Sequence, residues 1–160
     1  EGIYLVPQIM ANNAEVFLKA VQELEQLGYQ EVNLNLGCPS RTVVTKGRGA
    51  GFLDEPQKLD RFLDAVFEKC NLEISIKTRI GMEDPEEFET ILPIYNKYPL
   101  KELIIHPRVQ KEFYKNTPKL DTFCPNWNRY WSGYNRRADR HGTSARRGYA
   151  RISRRTDWWN

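Results

Sequence analysis

Four short apolar runs, separated by stretches with helical periodicity, constrain the fold of this chain most. Ile3–Ile9, Glu31–Leu36, Leu72–Lys77 and Lys101–His106 have the aliphatic, β-branched make-up of strands. After the first run, Phe17, Ala20, Val21, Leu24 and Leu27 fall on one helical face beginning at Ala14, and Gly28 follows as a stop. After the second, Pro56 opens a helix whose stripe is Leu59, Phe62, Leu63, Val66, Phe67 and Cys70. After the third, Asp84 caps a helix with Pro85 at its first position and Glu86 and Glu87 in its first turn, where the helix dipole favours acids. Phe88, Ile91, Leu92 and Tyr95 share a face of that helix, and Pro93 inside it predicts a kink. Strands and helices alternating at this spacing predict βαβ units and a parallel sheet. Four strands suit an open doubly wound sheet or part of an eight-stranded barrel. A complete barrel typically takes ~250 residues, and this chain has 160.

The alternation stops near Phe123, and so does the composition. Residues 1–123 hold 15 Lys+Arg against 19 Asp+Glu, whereas residues 124–160 hold 9 Arg, no Lys and 2 Asp. The net charge of +3 is therefore an acidic segment joined to a strongly basic one. All four Trp lie in the second segment, which has no Leu, Val, Met, Phe or Glu and one large aliphatic residue, Ile152. With no helical stripe and no alternation, residues 124–160 are expected to be irregular. We divide the chain into a first domain over residues 1–123 and a basic Arg/Trp-rich tail over 124–160.

Several function classes are disfavoured. There is no run of ~18 apolar residues that would predict a membrane helix, and no basic-then-apolar leader at Glu1. The three cysteines, Cys38, Cys70 and Cys124, have neither a disulfide nor a zinc-site spacing, so a reducing, cytoplasmic setting without a metal is expected.

Polar residues gather where the strands end. Gln8 ends the first, Asn33, Asn35 and Cys38 the second, Lys77 and Arg79 the third, His106 and Arg108 the fourth. In parallel α/β folds that edge is where ligands bind, so the set suggests a site for an electron-rich, hydrogen-bonding ligand. Cys38 lies in a turn between Gly37 and Pro39, which favours an accessible thiol, whereas Cys70 belongs to a helical stripe and reads as core. Gly47, Gly49 and Gly51 do not have the spacing of a dinucleotide fingerprint or a Walker loop. They suggest a mobile loop over the site, from which Lys46 and Arg48 could reach RNA phosphates.

Taken in order, Asn33–Ser40, Lys46–Leu53, Ile76–Gly81 and Ile105–Arg108 closely resemble the tRNA-dihydrouridine synthases. The resemblance covers residues 3–123. It implies part of an FMN-binding (β/α)8 TIM barrel, about four βα units, and an oxidoreductase that uses NAD(P)H to reduce the C5=C6 bond of uridine in tRNA. By the same resemblance Cys38 is the proton donor, Gln8, Lys77 and His106 contact FMN, and Asn35 lies at the uracil. Arg79 and Arg108, beside these positions, are assigned to substrate or phosphate. A thiol suits proton donation, because its usual pKa of ~8.5 leaves it mostly protonated at neutral pH yet able to release the proton.

Later FMN-phosphate motifs and the helical tRNA domain of that family are not recognisable here. The chain as given is therefore expected to be an incomplete, inactive fragment, with open sheet edges and an uncovered apolar face. The tail reads as a shifted reading frame, since codons can be chosen for Arg136–Ser153 whose neighbouring frame encodes a turn and a helix. Two alternatives are another FMN barrel acting on a free pyrimidine, and a non-enzymatic RNA-binding protein that uses the Arg pairs and aromatics of the tail.

Overall fold

A computed structural model describes residues 3–113 and, further on, the backbone of residues 150–153. The element order is β1 (Gln8–Ile9), α1 (Ala14–Gln26), β2 (Glu31–Leu36), α2 (Arg41–Val44), α3 (Pro56–Lys69), β3 (Glu73–Arg79), α4 (Phe88–Asn96), β4 (Glu102–His106) and β5 (Ala150–Ser153). The strands form one sheet in the order β1-β2-β3-β4-β5, with the first four parallel and β5 antiparallel to β4. This is the α/β alternation expected from the sequence, with about four βα units of a TIM-barrel-like fold.

The helices begin and end where local chemistry directs. The Asn13 side chain accepts a hydrogen bond from Val16 N at 3.0 Å and caps α1. The chain leaves α1 through Gly28, whose amide donates to Glu25 O at 2.9 Å. Before α4, Pro85–Glu87 form a 3-10 turn capped reciprocally by Asp84 and Glu87. One Glu87 carboxylate oxygen accepts from Asp84 N at 2.8 Å and Glu83 N at 2.9 Å, and the other from Met82 N at 2.7 Å. Pro93 lies within α4 as expected, on its exposed side.

Strand register divides the sheet into two unlike faces. Leu34 is beside Ile76, which is beside Leu103, and Leu36, Thr78 and Ile105 form the next row. These residues are buried in one core with Phe17 and Val21 of α1, Leu59, Leu63 and Val66 of α3, and Ile91 and Tyr95 of α4. The one polar member, Thr78, meets the Tyr95 hydroxyl at 2.9 Å. On the other face, Gln8, Asn33, Ser75 and Glu102 share a row, Asn35 pairs with Lys77, and Arg79 with His106. The apolar face is thus the one the helices cover, and the inward face is polar apart from Ile104 beside Lys77. Among the described residues the uncovered apolar face expected of a half barrel is not found, because period-two alternation sends the aliphatic residues of β2 and β3 to the helix side.

Two further expectations change. The first strand, expected over Ile3–Ile9, shortens to Gln8–Ile9, and Ile3, Tyr4 and Leu5 are 85%, 55% and 64% exposed. The glycine segment is not an open, mobile loop. After α2, residues Gly49–Asp54 form a 3-10 turn in which Gly49 through Leu53 are buried. Phe52 packs edge-on against Phe62 of α3 at 5.2 Å, and Phe62 against Phe17 of α1 at 5.8 Å. The glycines serve close approach: a Cβ on Gly51 would lie 2.5 Å from Val44 O, and one on Gly49 2.8 Å from Cys38 O. Within the tail, expected to be irregular, residues 150–153 add a short β5, with Ile152 in register with Leu103. An open strand edge presents unpaired backbone donors and acceptors and readily takes up a further strand. The remaining tail residues, Cys124 included, lie outside the described residues.

Among the described residues no helix is long and apolar enough to cross a membrane, and no cluster of three or more His, Cys, Asp and Glu could hold a metal.

Gly51→Ala is expected to destabilise the fold by about 1–3 kcal/mol, the usual cost of overpacking against atoms that cannot move aside. A urea midpoint equal to that of the parent chain would show that the segment can shift away from Val44.

Candidate active site

The C-terminal ends of β1–β4 bring the chosen residues together. Asn33 and Asn35 project to the inward face of β2 because they are two residues apart. Their carboxamides form a chain with Gln8 across the strand ends. Gln8 Nε2 donates to Asn33 Oδ1 at 2.7 Å, and Asn35 Nδ2 donates to Gln8 Oε1 at 2.8 Å. Asn33 Nδ2 continues the chain to Ser75 Oγ at 2.9 Å. Each amide is thereby oriented by its neighbours, and Gln8, although exposed, has a set position.

The Asn35 carbonyl oxygen also accepts from Gly37 N and Cys38 N, both at 3.0 Å. This side-chain-to-backbone turn is a local motif that Asn favours. It places the half-buried, free Cys38 directly after β2. The rest of the turn is held from three other elements. Arg79 Nε donates to Gly37 O at 3.0 Å, Ala50 N to Cys38 O at 3.0 Å, and Gln110 Nε2 to Pro39 O at 3.0 Å. Every residue from Gly37 to Pro39 therefore has a backbone atom bound by another part of the site.

Arg79, expected at the substrate, is instead fully buried. Besides Gly37 O, its guanidinium donates to Val109 O and Phe113 O, each at 2.9 Å. It joins the turn after β2 to the segment after β4. Backbone bonds from Ile80 N to Arg108 O at 3.3 Å and from Gln110 N to Gly81 O at 2.9 Å tie the turns after β3 and β4 together.

Lys77 is half-buried beside Asn35. Burial pushes its ammonium below the ordinary lysine range and the Arg79 charge adds to this, while Cys38 opposes it. His106 is 3% exposed, and Arg108 Nη1 lies 2.6 Å from its Nε2. Burial, then the charges of Arg79, Arg108 and Lys77, lower the imidazole to about 4, with Glu112 opposing. His106 is therefore neutral at physiological pH. Since Arg108 can only donate, Nε2 is the acceptor and Nδ1 carries the proton.

The site as a whole offers one thiol, three carboxamides, a neutral imidazole and a half-buried ammonium in an electropositive setting. These groups line one strand edge as hydrogen-bond donors and acceptors beside a thiol. Sequence reasoning named Gln8, Asn35, Cys38, Lys77, His106 and Arg108, and the fold places all of them at this edge. It missed Ser75 and Gln110. Ser75 had a usable signal, since it precedes Lys77 by two positions on the same face, but Gln110 had none, because its bond to Pro39 spans 71 residues.

The family model described as dihydrouridine synthase (Dus) matches residues 3–122. A "tRNA-dihydrouridine(20/20a) synthase" of Vibrio parahaemolyticus is 35% identical over 85 residues, 53% of this chain and 26% of that protein. A "Probable tRNA-dihydrouridine synthase" of Staphylococcus aureus is 30% identical over 111 residues, 69% of this chain and 34% of that protein, and one of Staphylococcus epidermidis is 31% identical over the same length. The chain thus spans about a quarter to a third of the length of these curated relatives. With three quarters of its residues matched by one family model, and the same residues folded into strands that converge on Cys38, the chain belongs to the dihydrouridine synthase family.

Proposed function

We propose that this chain forms the cysteine-bearing part of an FMN-dependent tRNA-dihydrouridine synthase, which reduces the C5=C6 bond of a uridine in tRNA at the expense of NAD(P)H. The observation that carries the reading is the turn around Cys38, held at Gly37, Cys38 and Pro39 beside the oriented amides of Gln8 and Asn35.

The donor set fits a flavin ring. An isoalloxazine edge alternates carbonyl acceptors with an imide donor, and Gln8 offers both functions in a carboxamide fixed by two neighbours. Lys77 supplies positive charge, and neutral His106 supplies an N–H at Nδ1. Gln8, Lys77 and His106 would hold the ring, and flavin chemistry would supply a hydride to C6 of the uracil.

The protein's own residues do the remainder. Cys38 holds a proton at Sγ and passes it to C5 from the opposite side of the base. Asn35 positions that thiol through the two amides it accepts, and its own N–H2 is oriented by Gln8. Arg108 keeps Nε2 of His106 occupied, so that the N–H of the ring is held at Nδ1. Arg79 acts through the turn it braces, not by touching substrate. The basic tail is assigned no role in this reading.

The test is a chimaera in which residues 3–113 replace the matching segment of the Staphylococcus aureus relative, which supplies the remaining length. The chimaera is expected to bind FMN and form dihydrouridine in tRNA, with free uridine a poor substrate. Preference for free uracil or uridine would favour a free-pyrimidine reductase instead. Cys38→Ala in the chimaera is expected to retain FMN and to slow dihydrouridine formation by at least about 100-fold, the lower end of general-acid contributions. A rate equal to that of the parent would remove Cys38 from the mechanism.

The neutral state of His106 has a consequence for stability. Its imidazole titrates near 4 in the folded chain against an ordinary 6.5, so between these values the unfolded chain binds more protons. Stability is therefore expected to fall as pH drops through that window and to level off below it. In His106→Gln the fall in urea midpoint from pH 7 to pH 4.5 is expected to be smaller than in the parent. Parallel profiles would place His106 in a solvated setting.

A further inference from the structure

We propose that the exposed cations Arg41, Lys46 and Arg48 form a docking rim for the RNA backbone phosphates next to the base presented to Cys38. This inference rests on tRNA being the substrate.

The first support is a local reversal of charge. Residues 1–123 are acidic overall, yet residues 32–53 contain no Asp or Glu and three cations. The second is what these cations do. Lys19, Lys58, Lys97, Lys101 and Lys111 each lie against a carboxylate. Among the described residues Arg41, Lys46 and Arg48 are exposed and none is paired with an acid; Arg61 and Lys69 of α3 share that state but stand among the carboxylates Asp60, Asp64 and Glu68, which residues 32–53 lack. Cations left in this state carry no stabilising ion pair for the fold and remain available to phosphate.

The third support is mechanical coupling to the thiol. Lys46 O accepts from Asn12 Nδ2 at 2.9 Å, and Asn12 Oδ1 in turn accepts from Arg48 Nε at 3.4 Å. Arg48 N donates to Val43 O at 3.2 Å and Ala50 N to Cys38 O at 3.0 Å. The close approach of Gly49 to Cys38 and of Gly51 to Val44 leaves no space for a side chain. The backbone that carries the rim is therefore joined by short-range bonds to the cysteine turn. A base delivered to Cys38 brings its own flanking phosphates with it, so binding there would align the strand as well as attract it.

The test uses the full 160-residue chain, a rim variant (Arg41→Gln, Lys46→Gln, Arg48→Gln) and a charge-matched control on α1 and α3 (Lys19→Gln, Arg61→Gln, Lys69→Gln). Binding of an unmodified tRNA transcript is followed by fluorescence anisotropy across a salt series. Protection of Cys38 by tRNA is followed as alkylation by iodoacetamide at that peptide. The tail arginines are common to all three proteins and cancel. The rim variant is expected to flatten the slope of log affinity against log salt by about 2–3, at ~0.7–0.9 for each of three phosphates no longer neutralised, with the control nearly unchanged. Its Cys38 is expected to lose most of its protection by tRNA.

Equal losses in rim variant and control would reduce the effect to net charge and overturn the rim. So would weaker binding of FMN or NADPH, titrated in parallel, with tRNA binding intact. Cys38 protected by tRNA equally in parent and rim variant would overturn the rim alone. A parent whose Cys38 is not protected by tRNA at all would overturn both the rim and the tRNA reading.

Discussion

The parallel register between β2 and β3 is the constraint on which the rest depends. With Leu34 beside Ile76, the aliphatic residues of both strands lie on the helix side, and the same alignment puts Asn35 beside Lys77 on the inward side. A slip by one residue would exchange the two faces, burying a lysine among helices and turning leucines toward the site. The core and the site are therefore not independent features. Burying Leu34, Leu36, Ile74 and Ile76 against α1, α3 and α4 is what aims Asn33, Asn35, Ser75 and Lys77 inward. Each buried aliphatic side chain contributes roughly 1.5–3 kcal/mol, so the orientation of the polar row is secured by the packing on the opposite face.

On that base, the strand ends are joined by a small number of bonds to backbone atoms. Arg79 is the central one, reaching the turn after β2 and two carbonyls beyond β4. A fully buried guanidinium is costly unless its donors are satisfied, and three carbonyls satisfy it here. Burial lowers both Lys77 and His106, and the fixed positive charge that Arg79 leaves behind the site adds to it. One residue thus braces the cysteine turn and sets the electrostatics in front of it. At the opposite end of the strands, Lys101 joins Glu31 and Glu73, with the Tyr4 hydroxyl bound to both Glu31 and Lys101. Despite partial burial, these carboxylates and the tyrosine keep the Lys101 ammonium above its usual range.

The alternation of strands and helices was plain in the sequence because its signals are local. Asn13, Gly28, Pro56 and the Asp84–Glu87 box start or stop helices through atoms within a few residues of themselves. The site residues were legible for the same reason: they fall at the ends of recognisable strands, and Asn35 binds amides two and three residues ahead. The glycine segment was misread as mobile, since glycines that permit motion and glycines that permit close packing look alike in sequence. Only the approach of Val44 and Cys38 to within a Cβ radius distinguishes them. β5 was not foreseen either, because its pairing depends on the open edge of β4 and not on any pattern in residues 150–153.

By itself, then, the sequence determined the βαβ succession, the apolar stripes of its helices, and the group of polar residues at the strand ends. Each of these follows from periodicity and capping, which act over one or two turns of chain. The tertiary structure alone decided that Arg79 is buried and joins the turns after β2 and β4, that Gln110 reaches Pro39, that burial and neighbouring cations lower His106, and that the Lys46–Ala50 backbone is bonded to the cysteine turn and its surroundings. Those outcomes depend on burial and on hydrogen bonds between residues far apart in the chain, and neither has a signature at the spacing that sequence patterns report.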